Sequence, residues 1–156
     1  MIQKTKLQDT NLLNGIFKER ELLNRNYLLE LDSQCLLQNF YLEAGIIMPG
    51  LQVINSPENV KLHWGWEAPT CQLRGHFLGH YLSACSYLIA LYNDKELLAK
   101  VDHIVDELER CQKLNGGKWI GPIPEKYFYR LETNEYIWSP QYTIHKLILG
   151  LIHTFE

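Results

Sequence analysis

Residues 72–92 read QLRGHFLGHYLSACSYLIALY, and this segment restricts the possible folds more than any other. Arg74 is its one fixed charge. A helix that is apolar on every side has to be covered on every side. The chain has no run of eighteen apolar residues, and the histidines, arginine and glutamine here interrupt the nearest approach to one. The segment therefore reads as a buried helix in the core of a soluble fold, and no membrane partner is expected. Gly75 and Gly79 stand four apart, as do His76 and His80. At that spacing each pair shares one helix face. The glycines leave room for a neighbouring backbone, and each imidazole demands a hydrogen-bond partner.

The remaining periodic segments are also helical. Residues 16–31, IFKERELLNRNYLLEL, place Phe17, Leu22, Leu23, Tyr27 and Leu28 at a helical period with charges between them. Asp32-Ser33 suits the start of a second helix that Gly45 ends. Asn93, with Glu96 three residues later, suits a capping box for residues 93–112, whose stripe is Leu97, Val101, Ile104, Val105 and Leu108. Asn115-Gly116-Gly117 stops that helix. A last apolar helix is predicted over 141–156, with Ser139 and Pro140 as N-cap and first residue. Loops span 50–70 and 118–140, and the second has room for one helical turn at 125–131. Two helices are apolar nearly all round and two are two-faced. That alternation predicts an all-α fold of antiparallel helical hairpins in two layers, part of an (α/α)6 toroid.

Composition removes several functions. The net charge is -3 and there is no basic stripe, so nucleic acid is not an expected partner. MIQKTKLQDT has no apolar core of a signal peptide, which predicts a cytoplasmic location. Cys35, Cys71, Cys85 and Cys111 are far apart, with no CxxC, so a local zinc site is not expected and reduced thiols are. No phosphate loop and no GxSxG elbow occurs.

The histidines carry the chemistry that is left. HxxxH lacks the glutamate a zincin needs, because Phe77 follows His76. An imidazole in the first turns of a helix is held neutral by the positive end of the dipole, with one nitrogen donating and one accepting. That matches a sugar hydroxyl. The competing reading is two core histidines bonded to protein partners. His145, in SPQYTIHK, repeats the arrangement on the last helix, and a shared pocket for His76, His80 and His145 is the sharper expectation. Trp64, Trp66 and Glu67 in HWGWEAP precede the first histidine helix; aromatic faces pack on sugar C–H surfaces and a carboxylate binds hydroxyls. Each of these also has an ordinary structural reading, and histidine-based metal binding is a further alternative.

Four stretches, LLNGIFKERELLNRNYLLELD, GWEAP, QLRGHFLGHYLSA and YTIHK, together resemble the amino-terminal part of the β-L-arabinofuranosidase group, glycoside hydrolase families 127 and 146. The likeness runs from about residue 7 to the end. It implies an (α/α)6 barrel, often followed by β-sandwich domains. It implies hydrolysis of β-L-arabinofuranosides with retention, by a zinc-bound cysteine nucleophile and a glutamate acid/base. In the family those residues, and the zinc, belong to a later part of the chain; none of the four cysteines here lies in that motif. What the resemblance carries over is sugar binding: His145 and Tyr142 in YTIHK, His76 and His80 in GHFLGHY, Trp66 and Glu67 in GWEAP. The expectation is one incomplete domain over 1–156 that is inactive alone, with an arabinofuranose-containing sugar as partner and self-association through exposed helix faces. A non-catalytic interaction module or a truncated product is the alternative.

Overall fold

The computed structural model describes residues 10–48 and 62–155. Among these the secondary structure is entirely helical: α1 (Ile16–Glu30), α2 (Ser33–Glu43), a 3-10 turn (Gly65–Glu67), α3 (His76–Tyr92), α4 (Lys95–Leu114), α5 (Lys126–Glu132) and α6 (Pro140–Phe155). The helical hairpins expected from the periodicities are present. Most of the loop expected over 50–70 lies outside the described residues.

Two boundaries differ from the sequence reading, each for a local reason. α3 starts at His76, not at residue 72, because Gly75 takes φ 82 and turns the chain into the helix. A Cβ there would also lie 2.2 Å from the Pro122 side chain, so only glycine fits. The cap of α4 is Asp94, not Asn93. The Asp94 carboxylate accepts from the N–H groups of Glu96 and Leu97, both at 3.2 Å. Asn93 instead closes α3 in the left-handed region, at φ 51. Asp32 caps α2 as expected, accepting from Gln34 N–H at 2.7 Å.

The core is built from Leu37, Phe40, Leu78, Tyr81, Leu82, Cys85, Leu97, Ile104, Leu108 and Leu147. Polar side chains on α3 and α4 tie α1 to it. Lys100 Nζ donates to the carbonyls of Leu28 at 3.1 Å, Leu29 at 2.7 Å and Leu31, satisfying the C-terminal acceptors of α1 with a cation at the negative end of its dipole. Tyr81 Oη donates to Leu28 as well, at 3.0 Å. Arg25 pairs with Asp94 and, at 2.5 Å, with Glu96. That guanidinium holds the Asp94 carboxyl below its ordinary value. Yet α1 buries only Leu28 fully, and Ile16, Phe17 and Leu23 stay exposed.

The closest packing joins α3 to α6. Their contacts advance in step: Gln72 with Trp138, Leu73 with Thr143, Gly79 with Lys146, Ser83 with His153. The two helices therefore run parallel, with their N-termini at one end. Gly79 permits the approach. A Cβ on it would lie 2.0 Å from the Lys146 carbonyl oxygen, and one on Gly150 would lie 2.6 Å from the Gly79 oxygen. The backbones touch, as the glycine spacing predicts.

This contact makes a prediction whose sign is informative. Helix propensity alone favours Gly79→Ala by about 1 kcal/mol. Overpacking against a backbone carbonyl costs about 1–3 kcal/mol or more. Urea unfolding is expected to show Gly79→Ala net destabilised, with a lower midpoint. A variant as stable as the parent would mean that the two helices do not meet there.

Candidate functional site

The common N-terminal end of α3 and α6 gathers most of the polar and aromatic side chains singled out above. Its centre is Glu67, the last residue of the 3-10 turn. Glu67 Oε2 accepts from Gly75 N–H at 2.6 Å, and Oε1 accepts from Phe77 N–H at 3.0 Å. The carboxylate thus caps α3 from outside the helix, meeting two of its orphan N–H groups at the positive end of the dipole. Oε1 also lies 2.8 Å from His76 Nδ1, and Asn39 Nδ2 donates to Oε2 at 3.3 Å. A carboxylate has about four acceptor sites. Four protein donors face this one.

The turn that carries Glu67 is fastened to α2 by two adjacent buried amides. Gln38 Nε2 donates to the carbonyls of His63 at 2.8 Å and Glu67 at 2.9 Å, and its Oε1 accepts from His63 N–H at 2.8 Å. Asn39 Nδ2 donates to the Glu67 carbonyl at 2.9 Å. Arg74, buried, pairs with Glu43 at 2.5 Å and donates to the Cys71 carbonyl at 3.3 Å. The one fixed charge of the apolar segment is thus spent on structure.

The histidines divide by role. His76 is buried, and its Nδ1 faces two acceptors, the Leu73 carbonyl at 3.0 Å and Glu67 Oε1. Nδ1 therefore carries a proton. Among the described residues Nε2 makes no hydrogen bond. His80, one turn on, stands edge-on to His76 with ring centroids 6.1 Å apart. Its Nε2 lies 3.3 Å from Tyr142 Oη. Burial, then the Lys146 ammonium and His76, hold the His80 imidazole below its ordinary value. Tyr142 closes the group, 5.9 Å from the His76 ring and with Lys146 Nζ 5.1 Å above its face.

Two tryptophans extend this surface. Trp66 lies 6.1 Å from His76 and 6.4 Å from Trp138, and both indoles are open to solvent. The structure therefore brings together Trp66, Glu67, His76, His80 and Tyr142. It does not bring His145 to them. Thr143, Leu147 and Gly150 are the buried positions of α6. His145 lies two residues from Thr143 and from Leu147, about 200° around a helix. It is exposed on the far side and makes no hydrogen bond or ring contact with the others among the described residues. Trp138 and Lys146 are site members that sequence reasoning did not single out. So are Gln38 and Asn39, whose signal was two adjacent amides inside an apolar helix.

Zinc finds no donor set here. Among the described residues no three metal-ligating side chains converge. Cys35, Cys85 and Cys111 are buried in the helical core, and burial pushes the Cys85 and Cys111 thiols up to about 11. A zinc ligand needs the thiolate. What the site can do is bind: open aromatic faces beside imidazole nitrogens and a phenol, all at the end of a rigid helix pair.

Two measurements follow from this geometry. Glu67→Gln keeps the shape but replaces one acceptor oxygen with a donor, leaving an N–H of α3 unmet. Chemical unfolding is expected to show a loss of about 1–3 kcal/mol, and a loss below a few tenths would deny Glu67 its capping role. In an NMR titration the His80 ring is expected to take its proton below pH 6.5. Lys146→Met should move that midpoint upward. The unfolded chain takes this proton first, so stability conferred by neutral His80 is present above the unfolded value and is lost as pH falls through the folded one. A midpoint at or above 6.5 would contradict the placement beside Lys146.

The comparisons with known proteins fit this arrangement. No curated protein sequence matches the chain. A family model described as "Beta-L-arabinofuranosidase, GH127 catalytic domain" matches residues 9–156, nearly all of it. The all-helical hairpins and the sequence motifs that build the α3–α6 end agree with that match, and the chain belongs to the GH127 β-L-arabinofuranosidase catalytic-domain family.

Proposed function

We propose that this chain is the sugar-binding front section of a retaining glycoside hydrolase acting on β-L-arabinofuranosides. Its hairpins form part of an (α/α)6 toroid. The observation that carries the reading is the convergence of Trp66, His76, His80 and Tyr142 at the shared N-terminal end of α3 and α6. A furanose has one face of C–H bonds and a rim of hydroxyls. Trp66, with Trp138 beside it, offers an apolar surface for that face. His76 Nε2 accepts a hydroxyl proton, and the His80–Tyr142 pair both donates and accepts. Burial, with the Lys146 ammonium and His76, lowers the proton affinity of His80, which favours its accepting nitrogen.

Glu67 serves this surface by holding it. Its carboxylate fixes the start of α3 and orients His76, and a bound sugar meets the ring it has aimed. His145 lies on the far side of α6, away from this surface. The described residues pair no nucleophile with a base, and they offer zinc no site. We therefore infer that the chain binds sugar without hydrolysing it. Among the described residues no helix is long and apolar enough to cross a membrane.

Binding of methyl β-L-arabinofuranoside, followed by NMR, tests the reading. Chemical-shift changes are expected at Trp66, His80 and Tyr142, and not at Trp119 beside Phe128. Trp66→Ala and Tyr142→Ala should each weaken binding about fivefold to tenfold, equivalent to about 1 kcal/mol. Shifts confined to other helices, or no binding up to solubility, would sink the proposal. Turnover of an aryl β-L-arabinofuranoside by the chain alone would remove the claim that it is inactive.

A further inference from the structure

Two faces of this chain are apolar, uncovered and complementary in charge. The first is the outer side of α1. Ile16, Leu23 and Tyr27 follow one another at helical spacing and are 62%, 58% and 52% exposed. Arg20 stands in the same stripe, four residues from Ile16 and three from Leu23. It is exposed and makes no ion pair among the described residues. Lys18 and Arg25, by contrast, lie on the inner side and are paired with Glu21 and with Asp94 and Glu96.

The second face is a groove of about 760 Å³ between α3, α4 and α6. Its floor includes Ile89, Leu98, Val105 and Leu151, and Phe155 stands at its edge almost fully exposed. Asp102 and Asp106, four apart on α4, are its acidic residues. Both are exposed, and neither makes an ion pair among the described residues. His153, also in the groove, is occupied by Ser83 Oγ at 3.0 Å. On α4 the residues facing α1, such as Lys100, lie about 200° around the helix from Leu98 and Asp102. The stripe and the groove therefore flank α4 on opposite sides, and one copy cannot bring its own stripe into its own groove.

We propose that the groove between α3, α4 and α6 receives α1 of a second copy of this chain, with Arg20 of one copy set against Asp102 and Asp106 of the other. The stripe spans 12 residues from Ile16 to Tyr27, a rod of about 16 Å. Covering it removes a row of large apolar side chains from water, the usual driving force for association. The contact is head-to-tail. Repeated from copy to copy, such a contact closes into a ring or continues as a filament.

Sedimentation equilibrium with three proteins decides it. The parent chain is expected to associate as its concentration rises. Arg20→Glu alone, and the double variant Asp102→Arg with Asp106→Arg alone, should each weaken self-association by at least about tenfold, because like charges then face each other. An equimolar mixture of the two variants should associate like the parent, since each variant supplies the face that the other's altered face now fits. A parent that stays monomeric up to roughly 1 mM overturns the proposal. So does association insensitive to the α4 substitutions, the result expected of an α1–α1 contact. So does a mixture that fails to restore assembly. Should a variant not fold, hydrogen exchange on the parent answers the same question. Protection that rises with concentration over 12–27 and in the groove supports the contact, and protection rising elsewhere refutes it.

Discussion

Backbone contact between α3 and α6 is the constraint on which the other features depend. Two helices side by side usually keep their axes 8–10 Å apart, separated by side chains. Here Gly79 and Gly150 remove those side chains, and the Lys146 carbonyl region sits where a Cβ would be. The consequence is register as well as proximity. A glycine notch fixes where along each helix the two meet, and the parallel alignment then puts both N-termini at one end. Tyr142 is brought to His76 and His80 by that alignment, although more than sixty residues separate them in sequence. A looser, side-chain-mediated crossing would leave room for slippage by a residue or two, and at the helix rise of about 1.5 Å per residue that would carry the phenol away from the imidazole.

The end so aligned is one where two helix dipoles point positive charge at the same surface. Glu67 meets part of this on α3, and in doing so it gives up its acceptor sites to protein donors. At His80, burial first and then the Lys146 ammonium and His76 disfavour protonation of the ring. The result is a surface of neutral donors and acceptors beside open aromatic rings. Such a surface suits an uncharged, polyhydroxylated ligand far better than an anion, which would compete with Glu67 for the same helix end, or a cation, which Lys146 would repel.

Much of this was legible in the sequence because it rests on local rules. The apolar segment 72–92 announced a buried helix, and its glycine spacing announced a close neighbour. Ser139-Pro140 and Asp32 marked helix starts that the structure keeps. The errors have physical causes. Asn93 and Asp94 are both good caps, and only the tertiary pull of Arg25 on Asp94 separates them. Residues 72–75 hold no proline or cap signal that would set them apart from the helix they precede, and periodicity cannot see that Gly75 needs a positive φ to pass Pro122. His145 shares the sequence setting of His76 but not its direction. Position near a helix start says nothing about azimuth, which is set by whichever face the glycines press against the neighbour. Glu67 looked like a ligand group for the same reason: a carboxylate beside tryptophans has one appearance in sequence, whether it binds a hydroxyl or caps a helix 8–10 residues away.

The α1 helix shows how a fold can be held firmly by polar contacts while its apolar residues remain in water. Its C-terminal carbonyls are met by Lys100, and Arg25 clamps it to the start of α4, so its position is fixed without burial of its stripe. Ordinary amphipathic helices are placed by the hydrophobic face, and their polar face is free to vary. Here the roles are reversed: the polar face is the inner one. That inversion is costly for an isolated chain, because ion pairs near a surface contribute little and exposed leucines contribute nothing. In the proposed assembly the apolar stripe is covered, and the position of α1 is then set twice, by lysine and arginine from within and by apolar contact from without.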